Sequence, residues 1–154
     1  MHPHATHPAA QIRSAQPEDL PAVAKLLKSA GLRSDEVVHE AAEVWVAQAG
    51  GRIVGAVCLE LHGIYGMLRS LVVHRECRGD GLGSALTATL LETAASRRLE
   101  AVYLLATTAV TFFPRFGFED IAREEVPLEV RSSRDFTDTS PASAVVMRLA
   151  LSKS

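Results

Sequence analysis

The segment Arg78-Gly79-Asp80-Gly81-Leu82-Gly83-Ser84 constrains this chain more than any other. It follows an apolar run, Met67 to His74, and precedes a helical pattern that continues to about Arg98. Glycines at alternate positions let a backbone turn where side chains forbid it, and let its N–H groups approach a ligand closely. Those groups then face outward at the positive end of a helix dipole, which makes an anion site suited to a diphosphate. Arg78 adds a fixed positive charge beside them.

The flanking patterns describe a mixed sheet. Gln11 to Ala15 reads as a short strand, and Pro17, Glu18 and Asp19 open a helix whose apolar face is Leu20, Val23, Leu26, Leu27 and Ala30. Gly31 suits its stop. Residues 32–43 are expected to form a loop or short helix. Val44 to Ala49 and Arg52 to Leu61 read as strands joined by Gly50-Gly51, a pair suited to a turn that needs positive φ twice. A turn at Gly63 to Gly66 leads into Met67 to His74. After the glycine segment, Leu82, Leu86, Leu90 and Ala94 give a helix its buried stripe. Ala101 to Ala106 is a short apolar strand. A helix from Thr108 to Phe116 is kinked or cut short by Pro114 and stopped by Gly117. Phe118 to Arg123 starts another strand, residues 124–142 are irregular, and Ala144 to Leu151 closes the domain as a strand. One strand-turn-helix step among antiparallel strands predicts an α/β (α+β) fold, a mostly antiparallel mixed sheet flanked by helices rather than a doubly wound one.

The length of 154 residues suits one domain, placed at 11–154. Residues 1–10 read as a disordered leader, with His2, His4 and His7 as tail residues rather than metal ligands. A net charge of −2 offers no general attraction for nucleic acid or an anionic membrane, so an anionic ligand must be held locally. Cys58 and Cys77 lack metal-type spacing and read as thiols in a reducing compartment. No apolar stretch approaches the roughly 18 residues of a membrane span, and the N-terminus has no secretory pattern. The expected location is cytoplasmic.

The segment lacks the lysine of the nucleoside-triphosphate loop, and Ser84 stands where the dinucleotide fingerprint has its third glycine. What remains, Arg78-x-x-Gly81-x-Gly83 after Leu71-Val72-Val73, resembles the GNAT superfamily, whose loop of this form grips the pyrophosphate of acetyl-CoA. Phe112-Phe113-Pro114-Arg115-Phe116-Gly117-Phe118 resembles the family's later aromatic segment. The resemblance implies the GNAT fold, acetyl-CoA as cofactor, backbone pairing of Leu71 and Val73 with the pantetheine arm, an oxyanion-stabilising amide from Val72 or Val73, and a phosphate grip by Arg78, Gly79, Asp80, Gly81, Leu82, Gly83 and Ser84. Phe113 stands where the family often has a tyrosine that protonates the departing thiolate. It packs beside the cofactor but has no proton to give.

Leu104 to Thr108, Phe112 to Phe118, Glu125-Val126-Pro127, Val130-Arg131 and Pro141 to Ala144 resemble the arsenic-resistance-operon N-acetyltransferases and, more distantly, bacterial amino-acid (glutamate) N-acetyltransferase domains. Ser140 departs from the cysteine expected in the arsenic group. The implied substrate is a small amino acid or amino-acid mimic, with an organoarsenical among the candidates. Arg69 either clamps a substrate carboxylate, sharing a strand face with residues 71 and 73, or is a solvated strand edge. Thr107 and Thr108 either bond the substrate or, for Thr108, cap a helix. Arg131 and Arg134 are either lid residues or surface charge. Glu60 is the candidate base for the amine, with a surface glutamate as the alternative. His62 and His74 are weaker candidates. Transfer is expected to be direct, with neither cysteine as nucleophile. The other readings are a non-catalytic acyl-CoA-binding sensor and a protein or peptide N-acetyltransferase. Ala144 to Leu151 offers a strand edge for a homodimer.

Overall fold

The structure, a computed structural model, describes residues 10–31, 42–79, 81–106, 111–131 and 145–151. Residues 1–9 of the leader, residues 32–41 of the stretch expected as a loop or short helix, Asp80, Thr107, Thr108 and Arg134 lie outside the described residues, as does the remainder of the segment expected to be irregular beyond residue 131. The last two residues of the expected loop, Ala42 and Glu43, belong instead to a strand. The strands are β1 (Gln11–Ser14), β2 (Ala42–Ala49), β3 (Arg52–His62), β4 (Tyr65–Val73), β5 (Ala101–Ala106), β6 (Glu119–Asp120) and β7 (Val145–Ala150). The helices are α1 (Leu20–Ser29), α2 (Leu82–Ser96) and α3 (Leu128–Arg131). Among the described residues, seven strands form one mixed sheet in the order β1-β2-β3-β4-β5-β7-β6. β1 runs antiparallel to β2, with Ile12 opposite Ala47. β4 runs parallel to β5, with Tyr65 opposite Ala101 and Met67 opposite Tyr103. A parallel pair needs a crossover, and α2 is that crossover. β7 runs antiparallel to both β5 and β6.

The turns follow from the glycines. Gly50 and Gly51 have φ of 58° and 80°, so the β2–β3 hairpin uses two left-handed residues in succession. Gly63 has φ of 65° and turns β3 into β4. β4 already begins at Tyr65, so the turn is shorter than the Gly63–Gly66 span read from sequence.

Two compact units divide the contacts: Met1–Leu59 with Arg69–Glu92, and Glu60–Leu68 with Thr93–Ser154. In the first, Val23, Leu26 and Leu27 of α1 pack with Val46, Ala56 and Val72. On the adjacent residue, Gly55, an added Cβ would lie 3.1 Å from Leu86 Cδ1 of α2. Neighbouring strand residues face opposite ways, so α1 and α2 cover opposite faces of β3. Burying a side chain such as Leu27 or Leu86 contributes about 1.5–3 kcal/mol. The Arg13 guanidinium grips both carboxylate oxygens of Asp19, at 2.8 and 3.1 Å, and its Nε donates to Gln48 Oε1. Asp19 also accepts the Gln16 amide at 2.7 Å, which fixes the entry into α1. These bonds, Arg13 foremost, hold the Asp19 carboxyl below the usual carboxylate range.

In the second unit, Met67, Ala101, Tyr103 and Val146 form a core with Val126 and Val130. Five expectations change here and in α2. Leu82 is only half-buried, so the buried stripe of α2 is Leu86, Leu90 and Ala94. The 108–116 helix reduces, among the described residues, to a 3-10 turn over Phe113–Phe116. Its first turn holds Pro114, and Gly117 at φ of 102° ends it. The strand expected from Phe118 to Arg123 is only Glu119–Asp120, because Arg123–Glu125 turns away in a 3-10 turn. The stretch from residue 124 is not wholly irregular, since α3 carries buried Val130 into the core. The closing strand is also not an edge: Glu119 and Asp120 pair with Arg148 and Met147 of β7. A homodimer through that edge would have to displace them.

Candidate active site

The glycine segment begins where β4 ends. His74 caps a 3-10 turn over Arg75–Cys77, its ring Nδ1 accepting the Glu76 amide at 3.1 Å. Arg78 is extended and its Nε donates to the Val73 carbonyl at 3.2 Å, folding the guanidinium back on the strand end. Gly79 and Gly81 take φ of 91° and 81°, with no atom within 4 Å of an added Cβ at either. Glycine is therefore required by conformation and not by crowding. The Ala85 amide donates to the Gly81 carbonyl at 3.0 Å, the first bond of α2. The amides of Leu82, Gly83 and Ser84 consequently have no intrahelical acceptor. No carboxylate lies in the first turn of α2 to compete for them. Left-handed glycines followed by open helix amides fit a diphosphate group. Among the described residues, Arg78, Gly79, Gly81, Leu82, Gly83 and Ser84 make up this glycine cradle, with Asp80 outside them.

β4 leads into that cradle. Val72 is buried against α1, while Leu71 and Val73 are half-buried. The side chains alternate along the strand, and the His74 amide at its end donates to the Val54 carbonyl of β3 at 2.7 Å. The residue before them was not singled out by the sequence. Ser70 has φ of 62°, a left-handed conformation inside a strand. Such a residue costs about 1–3 kcal/mol and persists where its surroundings enforce it. It also corrects the shared face assigned to residues 69, 71 and 73, because strict alternation holds only along an extended backbone. Arg69 is 6% exposed, so the solvated-edge alternative does not hold.

On β3, Glu60 is 4% exposed, which removes the surface-glutamate alternative. A buried carboxylate requires partners. One is His62, whose Nε2 lies 2.7 Å from Glu60 Oε1. The two stand two residues apart on one strand, a spacing that puts both on one face. That spacing was the signal in the sequence that could have paired them. Ser70 had no comparable signal, since serine is not a left-handed residue by type.

Phe113 is 8% exposed and packs edge-on against Phe112 and Phe118, with ring centroids at 5.0 and 5.8 Å. Arg131 ends α3 and is exposed. Both cysteines are free thiols: Cys58 is buried and Cys77 half-buried. No helix among the described residues is long and apolar enough to cross a membrane.

The family model described as the Acetyltransferase (GNAT) domain matches residues 40–120, which contain β2 to β6 and the glycine cradle. The chain is 34% identical over 131 residues to the Amino-acid acetyltransferase of Mycobacterium tuberculosis (strain ATCC 25618 / H37Rv), covering 77% of this chain and 74% of that protein. Among solved structures, a Mycobacterium tuberculosis protein in complex with CoA superposes with a TM-score of 0.79 at 28% identity, covering 92% of this chain and 99% of that one. N-acetylglutamate synthase from Neisseria gonorrhoeae, complexed with coenzyme A and N-acetyl-glutamate, shares the fold with a TM-score of 0.81 at 22% identity. That match covers 94% of this chain and 35% of the synthase. With its mixed seven-stranded sheet, glycine cradle and family match, the chain belongs to the GNAT acetyltransferases, which take their acetyl group from acetyl-CoA.

Proposed function

We propose that this acetyltransferase transfers the acetyl group directly to the amine of a small amino-acid-like substrate. The observation that carries the reading is the 34% identity to an Amino-acid acetyltransferase across three quarters of both chains. Buried Arg69 supports it, as a guanidinium that suits a carboxylate through a two-pronged hydrogen bond. Thr107, Thr108 and Arg131 complete the proposed substrate contacts.

Acetyl-CoA supplies an activated thioester. In this reading, the cradle from Arg78 to Ser84 holds its phosphates, and backbone groups of Leu71 and Val73 pair with its pantetheine arm. An amide of that strand stabilises the oxyanion that develops during attack. Phe113 packs beside the cofactor. The substrate amine must lose a proton before it can attack, and Glu60 provides the negative charge that draws it off. Neither cysteine takes up the acetyl group. The domain spans 11–154 and works in the cytoplasm, without nucleic acid or membrane, as a monomer or homodimer.

The test is thiol release from acetyl-CoA across amino acids, their phosphinate and arsinate mimics, polyamines and short peptides. Turnover confined to one amino-acid-like compound supports the proposal, and an arsinate would give substance to the arsenic-resistance resemblance. Turnover only with peptides, or acetyl-CoA binding with no turnover on any amine, sinks it. The last outcome is that of an acyl-CoA sensor, the reading favoured by a phenylalanine at position 113.

A further inference from the structure

We infer that the groove between α1 and the start of β3 binds a small organic monoanion, a carboxylate on a compact apolar body, and that its occupancy is felt at the glycine cradle through His74. The coupling rests on the proposed grip of the cradle on acetyl-CoA, while the binding stands without it. The groove has a volume of about 530 Å³, within the range of small-molecule sites. All of its lining belongs to the first compact unit. Ala22, Lys25 and Leu26 come from one face of α1, and Arg52, Ile53 and His74 complete the wall. Leu26 and Ile53 give it an apolar floor. Its acids already have a partner: Arg13 holds both oxygens of Asp19 and attracts Glu18 as well. Its cations do not. Lys25 and Arg52 are exposed and form no ion pair or hydrogen bond among the described residues. The neutral His74 ring accepts the Glu76 amide at Nδ1, so it carries its proton on Nε2 and can donate it. Two unpaired cations and a ring N–H beside an apolar floor select a carboxylate with an apolar body over an amine of the same shape.

His74 belongs both to the groove and to the approach to the cradle. Its ring holds the Glu76 amide, and its carbonyl accepts the Cys77 amide at 2.8 Å, so it organises the turn that delivers Arg78 and Gly79. A ligand that fixes the ring restrains that turn, and acetyl-CoA then meets a loop already ordered. By linkage, the cofactor tightens the ligand by the same factor.

Hexanoate serves as the probe, with hexanol and hexylammonium as bodies of equal length and different charge. NMR titration of the whole chain should show saturable hexanoate binding with shifts at Arg52 and His74, weaker binding of hexanol and none of hexylammonium. Replacing both exposed cations, Lys25→Gln with Arg52→Gln, should weaken hexanoate by roughly tenfold or more. Ala22→Trp, at another exposed position, keeps both charges and should block the groove by bulk alone. No saturable hexanoate binding, hexylammonium binding equally well, or either variant binding hexanoate like the wild type overturns the site. Calorimetry of coenzyme A with and without saturating hexanoate reads the coupling. Tightening by about fivefold or more supports it, and equal or weaker affinity overturns it. If Gly81→Val binds coenzyme A like the wild type, the grip of the cradle fails instead, and the hexanoate titration still decides the groove.

Discussion

Replacing Gly55 by alanine sets two effects of known size against each other. In a strand interior, alanine should stabilise by about 0.5–1 kcal/mol through the entropy that glycine loses on folding. At this site the new methyl would lie 3.1 Å from Leu86 Cδ1, 3.3 Å from the Val72 carbonyl oxygen and 3.5 Å from Ala47 Cβ. Leu86 is fully buried, so its methyl has little room to swing away. The Val72 oxygen is backbone and can yield only if β4 moves. Overpacking of this kind costs about 1–3 kcal/mol. The larger effect wins, and Gly55→Ala should be destabilised by roughly 0.5–2 kcal/mol, which lowers Tm by about 2–4 °C per kcal/mol in a chain of this length. Thermal and urea melts measure the stability. Because the yielding atom belongs to the strand proposed to carry the pantetheine arm, the KM for acetyl-CoA should also rise. A variant as stable as the wild type or more so would refute the packing argument. A destabilised variant with unchanged KM would refute the role given to that strand.

Four further outcomes are expected. Thr87 is fully buried and its hydroxyl has no hydrogen-bond partner among the described residues, so Thr87→Val should leave stability unchanged or raise it by about 1 kcal/mol, measured by urea unfolding. Gly81→Val, forced to φ of 81°, should raise the KM for acetyl-CoA sharply, and steady-state kinetics with an unaltered KM would show that the loop does not hold the cofactor. The Asp19 carboxyl is held low in the folded chain, so its stabilisation is complete above about pH 4, the unfolded value, and is lost as pH falls through the folded value. The stability gap between the wild type and Asp19→Asn should therefore narrow over that acid range. Cys77→Ala should turn over like the wild type, since direct transfer needs no thiol, and a loss of acetylation with cofactor binding intact would point to an acyl-enzyme.

What the sequence disclosed depended on whether one residue type answered one physical demand. Gly50 and Gly51 announced a hairpin because two left-handed positions in succession admit little else, and Gly79 and Gly81 announced the cradle for the same reason. Pro114 and Gly117 bounded a very short helical turn. Segments held by tertiary contact alone were not legible. α3 is four residues long and places a single buried valine, too little to show a period. β6 is two residues long, defined by pairing with Met147 and Arg148 and by no pattern of its own. Glu60 and Arg69 read as ambiguous because a charge within a strand looks the same in sequence whether it faces water or a partner. Their burial is a property of the fold.

Two residues other than glycine adopt left-handed backbone among the described residues, and they offer a protein engineer opposite bargains. Arg98, at φ of 61°, closes α2 in a loop where the Leu99 amide reaches back to Ala94 and the Arg98 amide to Ala95. Glycine normally occupies that place in a helix terminus. Arg98→Gly would relax the backbone far along the sequence from the cradle, making it a candidate for heat-hardening the enzyme without touching catalysis. Ser70 is strained in the same sense, and glycine or asparagine would relax it equally. There the relief would loosen the strand on which the acetyl donor is proposed to lie. A screen that rewards thermal endurance alone would accept both changes, and only one that also rewards turnover would separate them.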